Sequence, residues 1–239
     1  YSLCTTATGG YGTHSSLLGE YYHSPAIEYV LIFFMFVSGI NYTLIYYTIL
    51  KGKVKKFFDN MELRTYLIIV LGASLACAVT LAVEVPGYGV EYAIRQSLFT
   101  VISLQTTTGL ATVDYTLWPV QLMPVLLFVM FAGACSGSTS GGIKCIRLSI
   151  VYRVLKNEFI RILHPRAVIP VRINENIVPS SVVQTLLGFV ALFVVALFLG
   201  AFILFVMFVF GSLVVITWLK MGIGHGISLL IVSLLTVGF

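Results

Sequence analysis

From Tyr66 to Val85 the chain runs twenty residues with a single charge, Glu84. A helix of about 20 apolar residues crosses the roughly 30 Å hydrocarbon core of a bilayer. Three other stretches have the same character: Pro25 to Leu50, Pro119 to about Cys135, and Val182 to about Phe210. Overall, 59% of the residues are hydrophobic and 10% are charged, and mean hydropathy is +1.01. Soluble domains carry about 25% charged residues. A surface this poor in charge requires lipid as its solvent, and the chain is predicted to be an all-α membrane protein.

Charge sets the topology. Of the 14 basic residues, twelve fall in two clusters: Lys51, Lys53, Lys55, Lys56 and Arg64, then Lys144, Arg147, Arg153, Lys156, Arg161, Arg166 and Arg172. If the chain crosses at each span, both clusters lie on one side, which the positive-inside rule makes cytoplasmic. They are short connectors between spans, which argues against nucleic-acid binding. Glu20, Glu28, Glu84, Glu91 and Asp114 fall on the other side, with only Arg95 among them. Glu84, Glu91 and Asp114 are candidates for an outer rim that raises the local cation concentration. The cysteines, Cys4, Cys77, Cys135 and Cys145, form no C-x-x-C pair and are expected to be small apolar packers.

Three strings repeat: Thr8-Gly9-Gly10-Tyr11, Thr107-Thr108-Gly109-Leu110 and Thr236-Val237-Gly238-Phe239. Each places Thr two residues before Gly and an apolar or aromatic residue after it. The first two are followed by a polar stretch and a proline able to open a helix. Pro25 precedes Lys51 by 26 positions, and Pro119 precedes Lys144 by 25. Glu91 to Gln105 is helix-like but too short and polar to span, and Gly226 to Leu235 is a similar short run. The predicted unit is a span, a short re-entrant helix, a Thr/Gly loop and a span. Three segments follow: 1–63 as the end of one unit, 64–163 as a complete unit, and 164–239 as a cytoplasmic connector with an incomplete unit. The chain begins and ends inside a motif and is expected to be a fragment.

Backbone at membrane depth must line water or protein. A Thr/Gly strand can aim carbonyl oxygens at one point and replace the hydration shell of a cation, as the Thr-Val-Gly-Tyr-Gly filter of potassium channels does. The filter candidates are Ala7, Thr8, Gly9, Gly10, Thr106, Thr107, Thr108, Gly109, Thr236, Val237 and Gly238. Small residues also dominate Ala132 to Gly142. This segment fails as a phosphate-binding loop, because Lys144 does not directly follow Gly142 and no Ser or Thr follows it. Two uses remain: close helix packing, or a broken helix whose loop lies across the pore as a gate. The gate candidates are Ser136, Gly137, Ser138, Thr139, Ser140, Gly141, Gly142 and Lys144. The spans hold no paired carboxylates or metal ligands, so no enzyme is expected. They also lack the convergent charges of an organic-solute transporter.

Several motifs in order resemble bacterial TrkH-type potassium uptake proteins. They are the strings from Cys4 to His14 and from Gln105 to Thr112, Gly137-Ser138-Thr139-Ser140-Gly141-Gly142-Ile143-Lys144, and His164 to Arg172. The resemblance runs from Tyr1 to about Met207. It implies four span–pore-loop–span units around one pore, as in potassium channels, in a homodimer of the bacterial inner membrane. The first unit, the first span of the second and the last span of the family pattern are absent. The family's fourth loop reads Asn-x-Gly-Pro-Gly where this chain has Thr236-Val237-Gly238-Phe239. The resemblance also implies potassium as the transported ion with no covalently bound cofactor, a gate at the Gly/Ser loop, and symport or channel-like transport. It implies a cytoplasmic nucleotide-binding regulatory partner of the TrkA type, for which Arg166 and Arg172 are docking candidates. The sodium-dependent KtrB type is the alternative within the superfamily. The loop Thr8 to His14 and the long connector look more like TrkH.

Overall fold

The computed structural model describes residues 2–11, 18, 24–52, 57–85, 87–164, 170–173 and 176–237. Among the described residues, the helices that carry the fold are α1 (Ser2–Thr6), α2 (Pro25–Ser38), α3 (Tyr42–Lys51), α4 (Met61–Glu84), α5 (Val90–Gln105), α6 (Met123–Ala132), α7 (Cys145–Leu163) and α8 (Ser180–Val237). Short 3-10 turns at Tyr115–Leu117 and Val120–Leu122 lead into α6. A small antiparallel hairpin, β1 (Arg172–Ile173) with β2 (Asn176–Ile177), pairs Arg172 with Ile177 and Ile173 with Asn176.

The centre of the first compact unit, residues 1–186, is the short helix α5. It packs against α4, α2 and α6. Its buried residues include Arg95, Gln96, Ser97, Thr100, Ser103 and Gln105 as well as Phe99, Val101 and Ile102. So polar a helix, buried on several faces, is shielded by protein and not by lipid. Around it, α4 is apolar on two faces. Leu63, Tyr66, Val70, Cys77 and Leu81 face the core, while Ile68, Leu71, Leu75 and Val79 recur every three or four residues on the exposed face. That outer stripe suits lipid. Asn60 caps α4 by accepting the Glu62 and Leu63 amides at 2.8 and 3.4 Å.

The predicted span from Pro25 to Leu50 is broken. α2 and α3 meet at 95°, across Gly39, Ile40 and Asn41. The cause is local. Asn41 accepts the Thr43 amide at 2.9 Å and so starts a new helix. Gly39 permits close approach: a Cβ there would lie 2.5 Å from the Tyr66 hydroxyl and 2.9 Å from Thr106 Cγ2. The predicted third span is likewise shorter than expected, since α6 ends at Ala132 and the chain continues as irregular backbone to Lys144. Thus both prolines open a helix that breaks, at corresponding places in the repeat.

α8 departs from the repeat. The expected re-entrant turn near Gly226 is absent, and the backbone is one helix from Ser180 to Val237. No proline follows Pro179 to interrupt it. Met61–Glu84 and Ser180–Phe208 are each long and apolar enough to cross a membrane, with a third crossing if the bent pair counts as one.

Candidate functional site: two pore loops and an intramembrane loop

The two described Thr/Gly strings have the same backbone. Thr8 and Thr107 have φ of 50° and 56°, and Gly10 and Gly109 have φ of 69° and 77°. The Thr8 amide bonds Thr5 O at 3.1 Å and the Gly9 amide bonds Cys4 O at 2.9 Å. The equivalent bonds, Thr107 to Leu104 O at 3.1 Å and Thr108 to Ser103 O at 2.9 Å, recur in the second string. This pair of bonds is the Schellman ending of a helix, with its left-handed residue normally glycine. A threonine there costs about 1–2 kcal/mol. Both threonines offset that strain in one way: Thr8 Oγ1 lies 2.8 Å from Ala7 O, and Thr107 Oγ1 donates to Thr106 O at 2.7 Å. Strained β-branched residues at matched positions mark functional geometry.

The strings also converge. A Cβ built on Gly10 would lie 2.2 Å from Thr108 O, so the two backbones meet with no room for a side chain. Beyond them, the Leu18 amide bonds Ala111 O at 3.0 Å. Ser103 Oγ donates to Leu110 O at 2.6 Å, and Thr106 and Thr108 hydroxyls lie 2.8 Å apart. Further out, Thr112 donates to Gln96, whose amide donates to Glu28 at 2.9 Å. Glu28 is paired with Arg95 at 3.2 Å, with both side chains buried. This chain of contacts ties the outer end of the second loop to α2. The C-terminal end of α5, which carries partial negative charge, points into the second loop. Backbone carbonyls with a negative helix end form an environment for a dehydrated cation.

Residues 133–144 form a loop pinched at its neck. Gly133 and Gly142 have φ of 64° and 79°, and a Cβ on Gly133 would lie 2.6 Å from Gly141 O. The Ile143 amide bonds Phe131 O at 3.1 Å, and the Cys145 amide bonds Ala134 O at 3.0 Å. Gln105 at the end of α5 donates to Gly133 O at 3.1 Å. The tip of this loop touches both pore loops. Thr8 Oγ1 is 3.1 Å from Thr139 O, Thr139 Oγ1 donates to Thr6 O at 3.2 Å, and the Gly141 amide donates to Thr107 Oγ1 at 2.8 Å. Lys144, itself at φ 78°, turns its ammonium back onto the Ser140 carbonyl and hydroxyl.

The family model for TrkH, described as a cation transport protein, matches residues 1–211. The chain belongs to the TrkH family. It is 34% identical over 200 residues to the Trk system potassium uptake protein TrkH of Halomonas elongata, covering 83% of this chain and 41% of that protein. It is 34% identical over 204 residues to the Trk system potassium uptake protein TrkG of Escherichia coli K12, covering 85% of this chain and 41% of that one. The crystal structure of the potassium transporter TrkH from Vibrio parahaemolyticus superposes with a TM-score of 0.73 at 33% identity, over 79% of this chain and 40% of that chain. The chain thus spans about two-fifths of the TrkH-family proteins it matches. These relatives are membrane transport proteins, and the helical fold is theirs.

Among the sequence candidates, Ala7 to Gly10 and Thr106 to Gly109 come together, with Ser136 to Lys144 against them. Thr236 and Val237 close the helix α8 and are not extended, while Gly238 lies outside the described residues. Arg166 also lies outside them. Arg172 is exposed on β1, and its carbonyl accepts from Arg153 at 2.6 Å. The three rim acids all have local partners. Glu91 pairs with Arg95 at 3.1 Å and accepts from Tyr29 at 3.0 Å. Glu84 lies 2.9 Å from the Gln121 side-chain amide, which donates to it once its oxygen and nitrogen are interchanged. Asp114 accepts from the Thr116 hydroxyl and amide, which hold its carboxyl below the usual carboxylate range. Sequence reasoning missed Asn41, Glu62 and Gln105. An Asn two residues after Gly is a recognisable N-cap signal, but a lone Glu or Gln at the end of a span carries none.

Proposed function

We propose that this chain is part of the ion-translocating subunit of a Trk-type potassium uptake system. Potassium is selected by backbone carbonyls of the loops at Ala7–Gly10 and Thr106–Gly109, and the loop Ser136–Gly142 is the gate. The observation that carries this is the pair of Thr-x-Gly loops with matched left-handed residues, both hydrogen-bonded to one intramembrane loop. A helix-packing device would need bonds to helices alone; this loop also bonds Thr8 and Thr107 of the two Thr-x-Gly strings.

On this reading 1–63 is the end of one pore unit, 64–163 a complete unit and 164–239 a cytoplasmic connector with an incomplete unit, in a multi-pass inner-membrane protein that works as a homodimer. The side of Lys51, Arg64, Lys144 and Arg161 is cytoplasmic, and Glu84, Glu91 and Asp114 bias the outer mouth toward cations. The test is growth of a potassium-uptake-deficient bacterium on limiting potassium, with the intact protein expressed from a plasmid. Growth is expected with potassium or rubidium and not with sodium in its place. Rescue that ignores which cation is supplied would refute selection by the loops.

The segment from Arg161 to Pro179 is proposed to dock a cytoplasmic nucleotide-binding subunit of the TrkA type. Proline-restricted backbone loses little entropy on docking, and arginine suits interface anchoring. Reversing the charges of Arg166 and Arg172 together is expected to leave a folded dimer that co-purifies at least about tenfold less with the regulatory subunit, a loss typical of anchor arginines. Undiminished co-purification and an intact nucleotide response would make the segment a plain connector.

A further inference from the structure

We infer that Glu62 is the latch that holds the intramembrane loop against the filter, a role that rests on the gate reading of Ser136–Gly142. Glu62 is the second residue of α4 and only 6% exposed. A carboxylate in the first turn of a helix ordinarily serves that helix. Here Asn60 already caps α4, and the Glu62 carboxylate turns elsewhere. It accepts the backbone amide of Ser136, where the loop begins. The Asn41 side chain and the backbone amide of Ile146 lie close to the same carboxylate. It therefore sits where three segments meet, the corner between α2 and α3, the start of the loop and the first turn of α7, and is bonded to the start of the loop.

The contacts around it agree. The Cys135 amide bonds Gly39 O at 3.0 Å, and the Tyr42 amide bonds Gly137 O at 3.3 Å. A Cβ on Gly137 would lie 3.1 Å from Asn41 Oδ1. Lys144 is close enough to act on Glu62 electrostatically, but no cation lies within ion-pair distance of that carboxylate among the described residues, and the Lys144 ammonium is bound to Ser140. A buried carboxylate without a paired cation is a poor device for stability alone, since apolar side chains of similar volume do as well or better. It is an effective catch. Charge-assisted hydrogen bonds are roughly twice as strong as neutral ones. Because Glu62 holds the first residue of the loop, movement of the loop away from the filter strains that bond.

The Ser136 amide needs an acceptor, and glutamine replaces one carboxylate oxygen with an N–H2 and the charge-assisted bond with a neutral one. Glu62→Gln in the intact protein is therefore expected to raise rubidium flux per folded molecule by roughly tenfold in liposomes. Asn41→Ser is the second variant. It keeps a cap oxygen for α3 but removes the side-chain amide that lies beside Glu62, and flux is expected to rise here too, by less. Both are then repeated with the loop shortened between Ser136 and Gly142, where neither is expected to raise flux further, because there is no longer a loop to hold. Suppose shortening alone raises flux but Glu62→Gln and Asn41→Ser leave it unchanged or lower it. The gate then stands and the latch is refuted. An equal rise in both backgrounds also refutes the latch, since Glu62 would be acting outside the loop. If shortening itself fails to raise flux, the gate falls and the latch with it.

Discussion

Gly10→Ala is expected to reduce the discrimination of potassium from sodium more than any other single methyl group added to the pore loops. Two costs combine at this position. Its φ of 69° is left-handed, which costs a residue with a Cβ about 1–2 kcal/mol. The new methyl would also lie 2.2 Å from the carbonyl oxygen of Thr108. That atom is backbone of the opposite loop and cannot swing aside as a side chain would. It must be pushed away, at a cost of about 1–3 kcal/mol by analogy with overpacked cores. Relief of the clash moves a carbonyl proposed to bind the ion, so one substitution damages two loops. Gly109 provides the control. Its φ is 77° but a Cβ there meets nothing within 4 Å, so Gly109→Ala carries the backbone strain alone. Rubidium uptake measured with and without competing sodium should show at least about a tenfold loss of preference for Gly10→Ala, which corresponds to 1.4 kcal/mol, and a smaller loss for Gly109→Ala. The serine variants should follow the same order. Unchanged preference in both glycine variants would remove these loops from the selectivity mechanism.

The sequence made the repeat legible because glycine and proline punctuate it. Thr8–Gly10 and Thr107–Gly109 share spacing, and the structure has them share left-handed residues and the hydrogen bonds that end their helices. The small residues of Ala132 to Gly142 also signalled a break after the second string; what stayed hidden was the breakage of the helix that follows the first. Pro25 to Lys51 has the length and hydropathy of one span, and only Gly39 and Asn41 hint at a corner. The corner forms because Asn41 caps a new helix and because Gly39 is pressed against Tyr66 and Thr106. The second of these facts is tertiary and cannot be read from a string. Glu62 was hidden for the same reason: at the mouth of a span it looks like any acidic first-turn residue, and the Ser136 amide it accepts lies 74 residues away in the chain. The third Thr/Gly string shows the opposite failure. Thr236-Val237-Gly238 matches the pattern, but the run before it lacks a proline or a capped break, and the helix continues through Val237.

Shortening the intramembrane loop is expected to raise ion flux per folded molecule by an order of magnitude or more, while the protein still folds. Deleting Ser138 to Ser140 is the most informative form. The neck of the loop would survive, because it is built from Gly133, Gly142 and the amide bonds of Ile143 to Phe131 and Cys145 to Ala134. The tip would lose the contact of Thr8 with Thr139 and that of Thr139 with Thr6. At about 0.5–1.5 kcal/mol for each hydrogen bond, this loss is small beside the roughly 5–15 kcal/mol that holds a folded domain together. Folding should therefore tolerate the deletion. The deletion removes the segment that touches Thr6 and Thr8 of the first loop while leaving the Gly141 contact with Thr107, and it frees Lys144 from the Ser140 oxygens that hold its ammonium. Selectivity should decline only modestly, since the strained Thr8 and Thr107 keep their bonds to Ala7 and Thr106. The measurement is rubidium flux into liposomes, divided by the amount of monodisperse protein recovered. Higher flux with preserved preference for potassium over sodium is the expected result. A packing element would behave differently, with recovered protein and flux per molecule falling together, and that outcome would decide against a gate.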